Sequence, residues 1–120
     1  KIYDEAFQKV PELETLETRD YAESSHHLYI IALRLDQLSI TRDEFIDAIQ
    51  SAGIGVAVHY KAIHLQPFYA KEFSTQLETY PIATSYSHRI ISLPLYPRMS
   101  INDIERVIDV VKGIVSRNRR

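Results

Sequence analysis

The stretch HLYIIALRL, His27 to Leu35, is nearly continuous in hydrophobicity and rich in β-branched and aromatic side chains. A strand covered on both faces reads this way, because burial removes the need for a polar side. It is taken as the first central strand. Beyond it, Thr41 opens a helix: Glu44 stands three residues on, the spacing of a reciprocal capping box, and Phe45, Ala48, Ile49 and Ala52 make the apolar stripe of one helical face. Gly53 supplies a left-handed exit, so the helix is expected over 41–52. IGVAVHY, residues 54–60, alternates loosely and predicts a second, short strand with His59 and Tyr60 at its C-terminal end.

Further out, residues 61–80 keep no period, and Pro67, Phe68, Tyr69 and Phe73 suggest a short helix over 67–73 inside a long excursion. Excursions of this length in a small domain are usually functional. Pro81 suits the first position of a helix running to about Arg89, since its missing N–H would be unpaired there anyway. IISLPL, 90–95, reads as a third strand, with Pro94 marking an edge or exit because proline cannot donate to a ladder. Ser100, with Asp103 three residues on, caps a last helix whose apolar face runs from Ile101 to Val115 and ends in a basic tail. On the N-terminal side, residues 1–9 place Ile2, Tyr3, Ala6 and Phe7 on one helical stripe that Pro11 ends, and 11–25 form an acidic connector with room for a short edge strand. The expected fold is α/β (α+β), a two-layer sandwich: a small three-to-four-stranded sheet with helices 41–52 and 100–116 packed on one face. Residues 1–24 are read as helix end and connector, and 25–120 as the domain.

The chain has 120 residues, 45% hydrophobic and 25% charged, the balance of one ordinary soluble domain. No run approaches the ~20 apolar residues that would cross a bilayer, so no membrane partner is expected. The net charge is −2, and three of the fourteen basic residues lie in the last four positions. The body is therefore more acidic still, which argues against nucleic acid, whose binders cluster Lys and Arg. The absence of cysteine excludes disulfides and thiolate chemistry and fits a reducing, cytoplasmic setting. The chain opens at Lys1 with no basic-then-apolar leader, and we expect it to be a piece of something longer.

Chemistry-bearing signals are few. Three glycines, at 53, 55 and 113, leave no phosphate-cradling loop, and no HExxH or nucleophile elbow is present. His59 and His64 lack a nearby acidic third ligand, so no metal site is expected. What stands out is HYKAIHLQPFY, 59–69, where two imidazoles, a phenol, an ammonium and an amide meet an apolar rim. One reading has Tyr60, Phe68 and Tyr69 filling core while the polar groups are solvated. The other is a ligand loop at a strand end, where hydroxyl and imidazole groups beside stacking surfaces suit a sugar or a nucleotide.

The run GIGVAVHYKAIHLQPFY, followed by Pro81 and by SHRIISLPLYPRMSINDIERVIDVV, resembles the C-terminal small domain of the DegT/DnrJ-type sugar aminotransferases over about residues 24–116. The resemblance implies a pyridoxal-phosphate enzyme of the fold type I aminotransferase class, a homodimer of cell-surface polysaccharide biosynthesis that passes an amine from glutamate to a nucleotide-linked keto-sugar. It also implies that the lysine holding the cofactor belongs to a large domain outside these residues: Lys1, Lys9, Lys61, Lys71 and Lys112 lack the family's Ser-x-x-Lys setting. No catalytic or cofactor-binding residue is then expected here, and the fragment alone should be inactive. Carried across, His59 and Tyr60 would face the cleft, while Lys61, His64 and Gln66 would line the nucleotide-sugar entrance. Arg89 would receive the amino donor's carboxylate or form a structural ion pair. Arg34 reads as a strand-edge charge; Ser92, Pro94 and Pro97 would shape the exit loop without touching ligand. A stand-alone small-ligand or regulatory module is the alternative. A domain severed from its neighbour should leave apolar groups near Leu13, Leu16, Ile63 and Phe68 uncovered.

Overall fold

The computed structural model describes residues 1–120. Its elements run α1 (Ile2–Phe7), β1 (Leu13–Thr15), β2 (Tyr29–Leu33), α2 (Arg42–Ser51), α3 (Pro67–Glu72), α4 (Pro81–Arg89), β3 (Ile90–Leu93) and α5 (Ile101–Arg117). The three strands form one antiparallel sheet in the order β1-β2-β3, with Leu13 opposite Leu33 and Ile31 opposite Ile91.

Both long helices begin as their sequences require. The Thr41 hydroxyl accepts from the Glu44 N–H at 3.3 Å while the Thr41 N–H donates to Glu44 Oε2 at 2.7 Å, and Ser100 and Asp103 repeat the arrangement at α5. Gly53 leaves α2 at φ +77°, where a β-carbon would be strained. Pro67 and Pro81 occupy first-turn positions of α3 and α4.

Strand alternation divides the sheet into two unlike faces. Leu13, Ile31, Leu33, Ile91 and Leu93 point into a buried cluster with Tyr3 and Phe7 of α1, Phe45 and Ile49 of α2, and Val107, Val111, Ile114 and Val115 of α5. This is the helix-covered face expected from the sequence. The intervening residues, Glu14, Ile30, Ala32, Ile90 and Ser92, belong to the other face. There α4 lies across the sheet: the Tyr86 hydroxyl donates to Glu14 Oε1, and Arg89 Nη1 meets Glu14 Oε2 at 3.0 Å.

Two expectations need correction. Residues 54–60 form no strand. They run antiparallel beside β3 but touch it at one rung, Ala57 with Ser92, exchanging N–H···O bonds of 3.3 and 2.8 Å. The neighbouring hydrogen-bonded rungs would pair Gly55 with Pro94 and His59 with Ile90. Pro94 has no N–H to give, and the Ile90 N–H is already spent on the Tyr86 carbonyl of α4. The third strand is β1 instead, on the opposite edge. Leu13 is accordingly buried rather than uncovered, whereas Leu16, Ile63 and Phe68 are exposed.

The last residues close a seam. Ser39 N–H donates to the Asn118 carbonyl at 2.8 Å, Arg120 N–H to the Gln37 carbonyl at 3.0 Å, and Arg119 grips the buried Glu12 carboxylate through Nε and Nη2. Burial alone would raise the Glu12 carboxyl, but the Arg119 guanidinium and a backbone hydrogen bond together more than reverse it and hold the group below its ordinary value. No helix is long and apolar enough to cross a membrane.

Candidate functional site

The second face of the sheet carries the polar cluster. Chain leaving the Ala57–Ser92 rung reaches His59, whose Nδ1 lies 2.9 Å from the buried Ser92 hydroxyl. The His59–Tyr60 peptide is cis, and the Tyr60 ring meets the His59 ring edge-on at 4.9 Å. Tyr60 is 73% exposed, too open for a core residue. Lys61 is also exposed and takes part in no ion pair. The Ala62 N–H then donates to the buried Ser87 hydroxyl of α4 at 2.9 Å, which ties the loop down immediately after its exposed residues.

A single 3-10 turn, 63–65, follows. It puts Ile63 outside, 67% exposed, and His64 inside, 7% exposed. His64 Nε2 is 2.8 Å from the Thr84 hydroxyl, its ring stands edge-on to Tyr80 at 5.1 Å, and its carbonyl accepts from the Thr75 hydroxyl at 2.8 Å. Gln66 is half-buried at the start of α3, where its side chain makes no capping bond. Ala62, Ile63, His64, Tyr69, Phe73 and Tyr80 are among the residues that line an open, mostly apolar groove of ≈ 620 Å³.

Of the six residues expected to meet substrate, the fold thus gathers five on one continuous stretch, 59–66, namely His59, Tyr60, Lys61, His64 and Gln66, of which Tyr60 and Lys61 are the open ones. Arg89 lies on α4 with its guanidinium engaged by Glu14 and stacked 4.5 Å from the Tyr86 ring centre. The Glu14 carboxyl is held low first by the Tyr86 hydroxyl and also by Arg89, against the effect of burial. His59 and His64 turn to different partners, one on β3 and one on α4, and no group of three or more His, Cys, Asp or Glu side chains could hold a metal ion. Sequence reasoning missed Ser87, Thr84 and the polar role of Ser92. A lone hydroxyl 20 to 33 residues from its histidine carries no local signal; the proline-started helix of small residues was the faint pointer.

Pyridoxal phosphate needs an imine-forming lysine and a charge partner for its ring nitrogen. All five lysines are exposed. Glu12 and Glu14, buried and half-buried, are already paired with Arg119 and Arg89. The residues present do not fit the reactive half of a site for that group. They do fit a wall: hydrogen-bonding rings anchored from behind, with stacking surface in front.

Comparison with known proteins agrees with the reading of the motifs. The sequence profile of the DegT/DnrJ/EryC1/StrS aminotransferase family matches residues 1–112. The MJ1066 protein of Methanocaldococcus jannaschii is 39% identical over 99% of the chain, which spans 31% of that protein. The spore coat polysaccharide biosynthesis protein SpsC of Bacillus subtilis is 38% identical over 94% of the chain and 29% of its own length. Among solved structures, the PLP-form of Spr1654 from Streptococcus pneumoniae superposes with a TM-score of 0.83 at 29% identity, over 96% of this chain and 29% of that one. The chain therefore spans about a third of the length of the relatives it matches.

Proposed function

We propose that this chain, which belongs to the DegT/DnrJ/EryC1/StrS aminotransferase family, is the C-terminal small domain of a pyridoxal-phosphate enzyme that moves an amino group from glutamate to a nucleotide-linked keto-sugar. The observation that carries the reading is a recognition surface without reactive machinery: an exposed aromatic and cationic rim, Tyr60 and Lys61, backed by two anchored imidazoles. Pyridoxal phosphate, when bound, supplies the electron sink for amine transfer. Its lysine and pyridine-nitrogen partner would come from outside residues 1–120, so the chain alone catalyses nothing.

In this role Tyr60 stacks on the sugar ring or base, and Lys61 screens the diphosphate as a point charge on a mobile stem. His59 and His64 hydrogen-bond oxygens or N–H groups of the ligand, and the Gln66 amide can do either. Arg89 keeps Glu14 and α4 in register; it would meet a donor carboxylate only by leaving Glu14, so we assign it the structural task. The full-length enzyme acts as a homodimer in the cytoplasm. The name of SpsC, which places that protein in polysaccharide biosynthesis, supports a sugar acceptor.

The reading is tested in two steps. In the intact enzyme, Tyr60→Ala and Lys61→Ala should each raise KM for a UDP-keto-sugar about tenfold and leave the bound-cofactor absorbance unchanged; equal loss of cofactor would defeat the assignment. Residues 1–120 incubated with pyridoxal phosphate and borohydride should show no reduction onto one particular lysine. A single labelled lysine, or turnover by residues 1–120 alone, would overturn it.

A further inference from the structure

His59 and His64 look alike in sequence, but each is anchored by a different nitrogen, and the anchors fix where the ring protons sit. The network assigns the tautomers. The Thr84 hydroxyl has one proton, and it goes to the Leu77 carbonyl 2.6 Å away, an acceptor that can only accept. Thr84 Oγ1 must therefore accept from His64 Nε2, 2.8 Å distant, which makes Nε2 the protonated nitrogen and Nδ1 the bare one. At His59 the logic runs from the other end. The Ser92 hydroxyl is buried, and His59 Nδ1 at 2.9 Å is its one side-chain or backbone partner. Were Nδ1 the donor, the serine proton would be left unpaired in the interior at a cost of about 1–3 kcal/mol. Ser92 therefore donates, and His59 is again protonated on Nε2. No buried side-chain nitrogen or oxygen lacks a partner, so the second nitrogen of each ring reaches solvent.

We infer that Ser92 and Thr84 are positioning residues that hold both imidazoles in the Nε2–H form but by opposite ends, so that His59 offers an N–H donor outward while His64 offers a bare acceptor. The two rings then select opposite chemistry. His59 takes a group that only accepts, such as a phosphate or carbonyl oxygen. His64, in the aromatic groove with Tyr69, Phe73 and Tyr80, takes an N–H or O–H, such as the imide edge of a pyrimidine base or a sugar hydroxyl. The choice of ligand rests on the aminotransferase reading above; the anchoring does not.

Nitrogen NMR of the intact protein, isotope-labelled in histidine and held at a pH where imidazoles are neutral, tests both parts. The proton should be on Nε2 of both rings. Ser92→Ala should turn His59 into a mixture of tautomers and leave His64 unchanged, Thr84→Val should do the reverse, and Ser92→Thr, which keeps the hydroxyl, should restore His59. A proton on Nδ1 of either ring in the unaltered protein overturns the inference, and that spectrum needs no variant to fold. Insensitivity of His59 to Ser92→Ala overturns it equally. Titration with UDP should move the His59 Nε2 resonance, with affinity about three- to tenfold weaker in Ser92→Ala and recovered in Ser92→Thr. If the tautomers are as stated and UDP moves neither ring, the anchoring stands and the nucleotide-sugar reading falls.

Discussion

The two faces of one small sheet are built by different physics. On the first, Ile31, Leu33 and Ile91 disappear completely into a cluster with α1, α2 and α5, and apolar burial does most of the holding, with only Tyr29 to Asp4 and Tyr3 to the Pro94 carbonyl adding hydrogen bonds at its α1 edge. On the second, α4 and the 61–80 excursion are fastened by discrete hydrogen bonds, Ala62 N–H to Ser87, His64 Nε2 to Thr84, the Thr75 hydroxyl to the His64 carbonyl, and by the Glu14–Arg89 pair. Apolar burial tolerates small shifts in angle; hydrogen bonds do not. The first face therefore sets whether the chain folds, and the second sets where a few side chains point.

The sharpest way to break this contrast is to truncate each face and compare. Phe45→Ala, at a fully buried position, should cost about 3–5 kcal/mol of global stability by denaturant unfolding. A loss under 1 kcal/mol would mean that the helix-covered face is not the stabilising one. Glu12→Gln should cost about 2 kcal/mol, less than a fully buried pair because Arg119 stays partly in water. That cost should vanish in acid. The folded Glu12 carboxyl is held below its ordinary value, so as pH falls the unfolded chain binds the proton first. Stability is full above the ordinary glutamate pKa of ~4.3 and is lost as pH falls through the folded value, so the gap between Glu12→Gln and the parent should begin to narrow below ~4.3 and be gone once pH has passed the folded value.

Ser87→Ala leaves the Ala62 N–H without its acceptor and should cost about 1–2 kcal/mol, confined to its own face. Hydrogen exchange should quicken across 58–66 while amides of β2 and α5 keep their protection; uniform acceleration would show that the faces are one cooperative unit. The smallest effect is expected at Thr41→Ala, about 1 kcal/mol from the lost cap of α2, with no change in the excursion.

Legibility in the sequence followed the same division. Wherever a residue's partner was a neighbour in the chain, the reading held: the capping boxes at Thr41 and Ser100, the stripe of α5, and the prolines that start α3 and α4. The strands expected over 27–35 and 90–95 formed over 29–33 and 90–93, because an apolar run signals burial whichever strand it meets. The 54–60 strand misled because its alternation is genuine, while the reasons it cannot pair, Pro94 and the committed Ile90 N–H, lie over 30 residues away. Leu13 misled because a three-residue edge strand offers too little pattern to separate core from surface. At the candidate site, residue types were visible but not their orientation. His59 and His64 are distinguished only by which hydroxyl waits behind each, Ser92 or Thr84, and those hydroxyls come from β3 and α4.

The seam at residues 118–120 makes two amides into reporters on the core. The Ser39 and Arg120 N–H groups are spent across it, on the Asn118 and Gln37 carbonyls, so each trades its proton with solvent while the seam is parted. Their exchange rates would then count openings beside the buried Leu38, a local event that a global melting curve averages away.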